Sequence, residues 1–124
     1  VQDSTSVTTD INYVRSILLN LISNAYKYSP PFSTILVRLL NVGDGNPKSI
    51  LFEVENSLGK VEPPDPSQIF QRYYRAESAK KFAGTGLGLW LSQTLAQQIG
   101  SRLNMKITEQ KNIVFFFNLE ISSK

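Results

Sequence analysis

Gly84-Thr85-Gly86-Leu87-Gly88-Leu89, running into Trp90-Leu91, sets three of the chain's 7 glycines on alternate positions. Glycine lets a main chain pass close to a ligand, or take positive φ, without a Cβ clash. Leu87, Leu91, Leu95 and Ile99 then recur every four residues, so the loop is expected to open a helix. Such a junction presents free N–H groups and the positive end of a helix dipole, which suits phosphate. A flexible turn before a core helix would produce the same pattern, so the surrounding chain has to decide. No Lys-Ser/Thr pair follows the glycines, and a helix and a lid-like segment come before them where a dinucleotide-binding turn would have a strand.

Working outward, residues 76–83 have no clean period and read as a lid. Arg72, Arg75, Lys80 and Lys81 lie just before the glycines, against the single Glu77. Lys80 and Lys81 read as a wet charged pair outside the site. Asp65-Pro66-Ser67-Gln68 carries an N-cap, a proline at the first helical position and a glutamine at N3. A short helix is expected there, with Ile69, Phe70, Tyr73 and Tyr74 on one side. On the other flank, Gly100 reads as the residue ending the glycine-loop helix. Residues 102–108 and 113–121 alternate as strands around a turn at 109–112.

Further upstream, Thr9 or Asp10 can cap a helix running to about Tyr28, with Ile11, Val14, Leu18, Leu21, Ile22 and Ala25 as its core face. Asn20, Asn24 and Lys27 make a polar stripe beside that face, and Ser29-Pro30-Pro31 stops the helix. Residues 34–42 and 49–56 flank Gly43-Asp44-Gly45-Asn46-Pro47 and read as a hairpin. In its second strand Ile50, Phe52 and Val54 share a face that ends on Asn56, while Leu51, Glu53 and Glu55 take the other. Asn56 reads equally as a ligand contact or as a cap for the following loop. Residues 1–8 read as a polar entry segment, with an edge strand as one option. The order α-β-β-α-α-β-β predicts an α/β (α+β) fold: a two-layer sandwich whose mixed, mostly antiparallel sheet is covered on one face by about three helices.

The 124 residues are expected to form one domain, residues 1–124, with a single core. A net charge of +3 is too small to argue for nucleic acid, and the longest apolar run, Ile113 to Phe117, is too short to span a membrane. No signal-type segment is read at the start of the sequence. With 0 cysteines and 0 histidines, disulfides, thiolate or imidazole zinc sites, Ser-His-Asp hydrolysis and a phosphohistidine on this chain are excluded. What remains is a set suited to a triphosphate with magnesium. Asn20 and Asn24 offer oxygens, Lys27 and Arg75 offer cations, and residues 84–89 offer N–H groups. Tyr28, Asn56 and Leu87 can hold a purine.

Leu19-Asn20-Leu21-Ile22-Ser23-Asn24-Ala25-Tyr26-Lys27-Tyr28-Ser29-Pro30 resembles the N-box of sensor histidine kinases. Ile69-Phe70-Gln71-Arg72-Tyr73-Tyr74-Arg75 resembles their F-box, and Gly84–Leu89 their second glycine box. The resemblance implies the Bergerat ATP-binding fold, also seen in gyrase and the MutL repair proteins, with ATP and Mg2+ as cofactors. It implies Asn24 as chief magnesium ligand, with Asn20 assisting or bound to phosphate. Lys27 and Arg75 would contact phosphates, Tyr28 would lie against adenine, and Gly84, Thr85, Gly86, Leu87, Gly88 and Leu89 would wrap the phosphates. The implied reaction is γ-phosphoryl transfer to a histidine on a separate dimerisation domain, with a response regulator downstream. A cytoplasmic position without nucleic-acid or membrane contact is implied as well, the parent protein being free to carry an anchor. Without that histidine the chain is not expected to phosphorylate itself.

Two boxes depart from the family. The first glycine box, usually Asp-x-Gly-x-Gly, reads Asn56-Ser57-Leu58-Gly59-Lys60, and the Gly-Thr before the last strand is replaced near Asn112-Ile113. An asparagine can still pair with the edge of adenine. The departures favour, as an alternative, a non-catalytic module kept for docking a partner. An ATP-hydrolysing relative would carry a glutamate base four residues before the magnesium asparagine; Asn20 stands there and takes no proton.

Overall fold

The computed structural model describes residues 5–6, 11–42, 48–59, 62–65, 67–71 and 88–123. Helix α1 spans Ile11–Tyr28 and stops where Ser29-Pro30-Pro31 begins, as the prolines require. Strands β2 (Ile35–Val42) and β3 (Lys48–Ser57) pair antiparallel, with Ile35 opposite Asn56 and Leu39 opposite Phe52. Helix α2 spans Gly88–Gln98, followed by β4 (Asn104–Ile107) and the long β5 (Asn112–Ser123). A two-residue strand β1 (Thr5–Ser6) pairs with the end of β5.

The sheet runs β2-β3-β5 in space, and β5 shares its far edge between β4 and β1. Every strand pair among the described residues is antiparallel. The helices cover one face, so the expected α/β sandwich stands. Both α1 and α2 are where periodicity put them. The third expected helix is not seen over the described residues: Gln68 and Ile69 donate N–H bonds back to the Asp65 carbonyl, and residues 67–70 form turns. Asp65 acts as foreseen in another way, since its carboxylate accepts from the Ser67 N–H and hydroxyl at 2.9 and 2.7 Å. Those bonds, the hydroxyl's first, hold its carboxyl below the usual range.

The core joins α1 to β3 and β5 through Val14, Ile17, Leu21, Ala25, Phe52, Val54, Phe115, Phe117 and Leu119. Phe52 and Phe117, directly opposite across the β3–β5 pair, stack with centroids 4.9 Å apart. Ile17 is completely buried, whereas Ile11, expected in the core, is 63% exposed. The apolar face of α1 is turned toward Ile17 because α1 packs on α2 as well as on the sheet. On α2 the completely buried positions are Ser92 and Ala96, while Leu91 is exposed. Steps of four residues drift by about 40° on a 3.6-residue helix, so the leucine row slides off the seam and smaller side chains occupy it. Gly100 ends α2 at φ +75°. The Ser101 N–H bonds the Ala96 carbonyl and the Gly100 N–H bonds that of Gln97, the paired bonds of a left-handed helix stop. Gln93 clamps the next segment by bonding both the N–H and the carbonyl of Leu103. No described helix is long and apolar enough to cross a membrane.

Candidate functional site

Because α1 is a regular helix, Asn20, Asn24 and Lys27 line up along one side of it. Ile17, three residues before Asn20, is buried on that same side. The stripe therefore emerges at the seam between α1 and α2. Asn20 and Asn24 are half-buried, and Lys27 is exposed, with its ammonium 5.7 Å from the centre of the Tyr28 ring. At the seam, the Asn20 amide Nδ2 donates to Ser92 Oγ at 3.2 Å. Gly88, which opens α2, lies one turn before Ser92, about 6 Å along the axis. Gly88 and Leu89 thus bring the end of the glycine-rich stretch next to the polar stripe. Arg75, Gly84, Thr85, Gly86 and Leu87, together with the expected lid and the capping Thr9 and Asp10, lie outside the described residues.

The second half of the site forms where β3 ends. Asn56 sits on the helix-covered face, with Ile35 and Ile113 opposite it in the flanking strands, and is 3% exposed. Its Nδ2 donates to the Ser57 carbonyl at 3.0 Å. That bond turns Oδ1 the other way, and among the described residues Oδ1 accepts no hydrogen bond. A buried acceptor without a partner costs about 1–3 kcal/mol. The following loop shows how the altered box is accommodated. Leu58, standing where relatives of the resembled family have glycine, is 7% exposed and joins the core, while its N–H bonds the Lys111 carbonyl. The left-handed conformation falls instead on Gly59, at φ +63°, whose missing Cβ would sit 2.8 Å from Pro30 Cγ. The loop after β3 therefore closes on the proline that ends α1, bringing Tyr28 and Asn56 to the same end of the fold.

The acidic groups of β3 lie elsewhere. Glu53 and Glu55 occupy the opposite face, where Arg38 contacts them at 3.2 and 2.7 Å, Lys106 stands 3.8 Å from Glu53, and Asn112 donates to Glu55 at 2.7 Å. The Asn112 amide, then the Arg38 guanidinium, holds the Glu55 carboxyl below its usual range. Among the described residues no cluster of three or more His, Cys, Asp or Glu is arranged to hold a metal. A cation here would be held by amide oxygens and by its ligand's own oxygens. That donor set suits magnesium, which keeps water and takes few protein ligands. Two contributions escaped the sequence reading: Ser92, whose spacing marks it only as a helix position, and Gly59, displaced by one residue from the family's glycines.

The model of a protein family described as histidine kinase-, DNA gyrase B-, and HSP90-like ATPase matches residues 9–122. The circadian input-output histidine kinase CikA of Synechococcus elongatus is 29% identical over 108 residues, covering 86% of this chain and 14% of CikA. The swarming motility regulation sensor protein RssA of Serratia marcescens is 32% identical over 103 residues, covering 83% of this chain and 21% of RssA. The chain thus spans about a fifth or less of the length of these relatives. Among solved structures, the mycobacterial sensor histidine kinase MprB superposes with a TM-score of 0.82 at 22% identity, over 97% of this chain and 80% of that one. Full-length ShkA in complex with AMPPNP gives 0.77 at 22% identity, over 99% of this chain and 24% of that one. At these identities the superpositions speak to the fold.

Proposed function

The chain belongs to the family of histidine kinase-, DNA gyrase B- and HSP90-like ATPases, and on that premise we propose that it is the ATP-binding catalytic domain of a two-component sensor histidine kinase. The observation that carries the reading is the seam of α1 and α2, where Asn20, Asn24 and Lys27 run as a stripe along α1 and Asn20 bonds Ser92, one turn after the Gly88 that opens α2. Asn24 and Asn20 offer oxygens to Mg2+, and Lys27 offers charge to phosphate. Arg75 and Gly84–Leu89 complete the phosphate side, and Asn56 and Tyr28 take the base. ATP, when bound, supplies a γ-phosphoryl group for transfer to an imidazole nitrogen.

Phosphoryl transfer asks for positioning and charge stabilisation more than for covalent help, and this residue set provides that. Asn20 is an amide and takes no proton from water, which disfavours ATP hydrolysis as the main activity. The acceptor histidine belongs to a dimerisation domain of the parent protein, which hands the phosphoryl group to a response regulator. A cytoplasmic position follows from those partners.

Titrating an ATP analogue with and without Mg2+, read by the fluorescence of Trp90 beside the loop, tests the reading. Saturable binding that weakens on removing Mg2+ is expected, as is loss of the Mg2+-dependent part in Asn24→Ala. No saturation at millimolar nucleotide would sink it. The docking-module alternative fails if the domain, fused to its histidine-bearing segment, transfers phosphate.

A further inference from the structure

Ser92 is the only completely buried polar side chain among the described residues, and it sits on α2 facing α1. Its Oγ accepts from the Asn20 amide across 72 positions of sequence. Whichever end of an amide is held by a hydrogen bond, the other end is thereby aimed. With Nδ2 held by Ser92, the Asn20 oxygen is turned away from Ser92. An asparagine free to rotate would present Nδ2 and Oδ1 alternately, and an N–H directed at a cation is repelled. We propose that Ser92 is a positioning residue for magnesium-bound nucleotide: it fixes the Asn20 amide with its oxygen presented to the cation. The same contact ties α2, which opens at Gly88, to the helix that carries the proposed metal ligands. This inference rests on the ATP and Mg2+ reading of the site.

The plain alternative is that Ser92, like Ala96 four residues on, is simply small enough to let the helices approach. Ser92→Ala separates the two, since it keeps the small volume and removes the acceptor. The measurement is the affinity for an ATP analogue with the fluorophore on its ribose, at saturating Mg2+ and in EDTA. In Ser92→Ala the Mg2+ affinity is expected to weaken about fivefold, the worth of one ordinary hydrogen bond. The EDTA affinity should stay within about twofold and the melting temperature within a few degrees. In an Asn20→Ala background the same change should do nothing further, because Ser92 acts through Asn20. Ser92→Cys, which keeps a weak acceptor, should lie between. In the nucleotide-free protein, the Asn20 side-chain NH2 resonances should shift in Ser92→Ala.

Equal weakening with and without Mg2+, an effect that persists without Asn20, or an unmoved Asn20 amide would each overturn the proposal. Failure of the unaltered chain to bind the analogue at all would instead bring down the nucleotide reading, and this inference with it.

Discussion

Replacing Asn56 by leucine, which has the same number and branching of heavy atoms, should part stability from binding. In the free protein Asn56 is 3% exposed, and its one side-chain bond runs to the Ser57 carbonyl. Its Oδ1 stands unbonded among the described residues, at a cost of about 1–3 kcal/mol. Losing the Ser57 bond costs about 1 kcal/mol, so Asn56→Leu should be between neutral and roughly 2 kcal/mol more stable. For a chain of this size that is up to about 8 °C in Tm. The same change removes the acceptor for an exocyclic amino group, and about 1.4 kcal/mol lost means roughly tenfold weaker ATP binding. Inosine triphosphate, which carries a 6-oxo group, supplies the control. The unaltered chain should prefer ATP to it by about tenfold, and Asn56→Leu should show no preference. Melting curves and parallel titrations read both effects. If Asn56→Leu keeps its preference for ATP, Asn56 does not read the base. If it loses more than about 1 kcal/mol of stability with binding intact, the residue is a loop cap.

Glu55 should make folding sensitive to acid. Its carboxyl is held low by Asn112 and Arg38, so its contribution is complete above the unfolded-state value and is lost as pH falls through the lower folded-state value. Glu55→Gln should lower stability at neutral pH by roughly 1–2 kcal/mol and flatten the acid limb of urea midpoints against pH, and an unchanged limb would refute this. Gly59→Ala should cost about 2 kcal/mol, because it strains a left-handed residue and drives a Cβ to 2.8 Å from Pro30 Cγ. A Tm unchanged within a degree would show that the loop does not close on α1 as described. Phe32 is fully exposed at φ 64°, so Phe32→Asn should gain about 0.5–1 kcal/mol in urea denaturation by relieving strain without losing burial. A loss of stability there would mean that the ring is held by a contact.

The sequence made α1, α2 and the β2–β3 hairpin legible because each carries a local period or a local stop. The apolar period of α1 and the proline pair at 30–31 needed no knowledge of their neighbours. What was not legible depends on residues far apart. Ile17 rather than Ile11 is buried because α1 serves two neighbours at once, and a period reports a face without saying how far it is rotated. The bond between Asn20 and Ser92 spans 72 positions and leaves no local trace. Asp65 shows the reverse: its capping chemistry is real, yet it closes turns rather than a helix over the described residues. The first glycine box departs from the family at residues 58 and 60, and a motif does not show how the loop adapts. The left-handed residue is Gly59, and Leu58 uses the freed position to fill the core.

Strand β3 joins these points, because its alternation decides which groups face the helices. Ile50, Phe52, Val54 and Asn56 fall on the helix-covered face, and Glu53 and Glu55 on the other, beside Arg38, Lys106 and Asn112. A slip of one residue would exchange the faces. It would bring two carboxylates under α1 without their cationic partners, at several kcal/mol each. The register that buries the core is therefore also the register that leaves the helix-covered end of β3 a neutral amide, so one alternation of apolar and acidic residues serves both the fold and the proposed site.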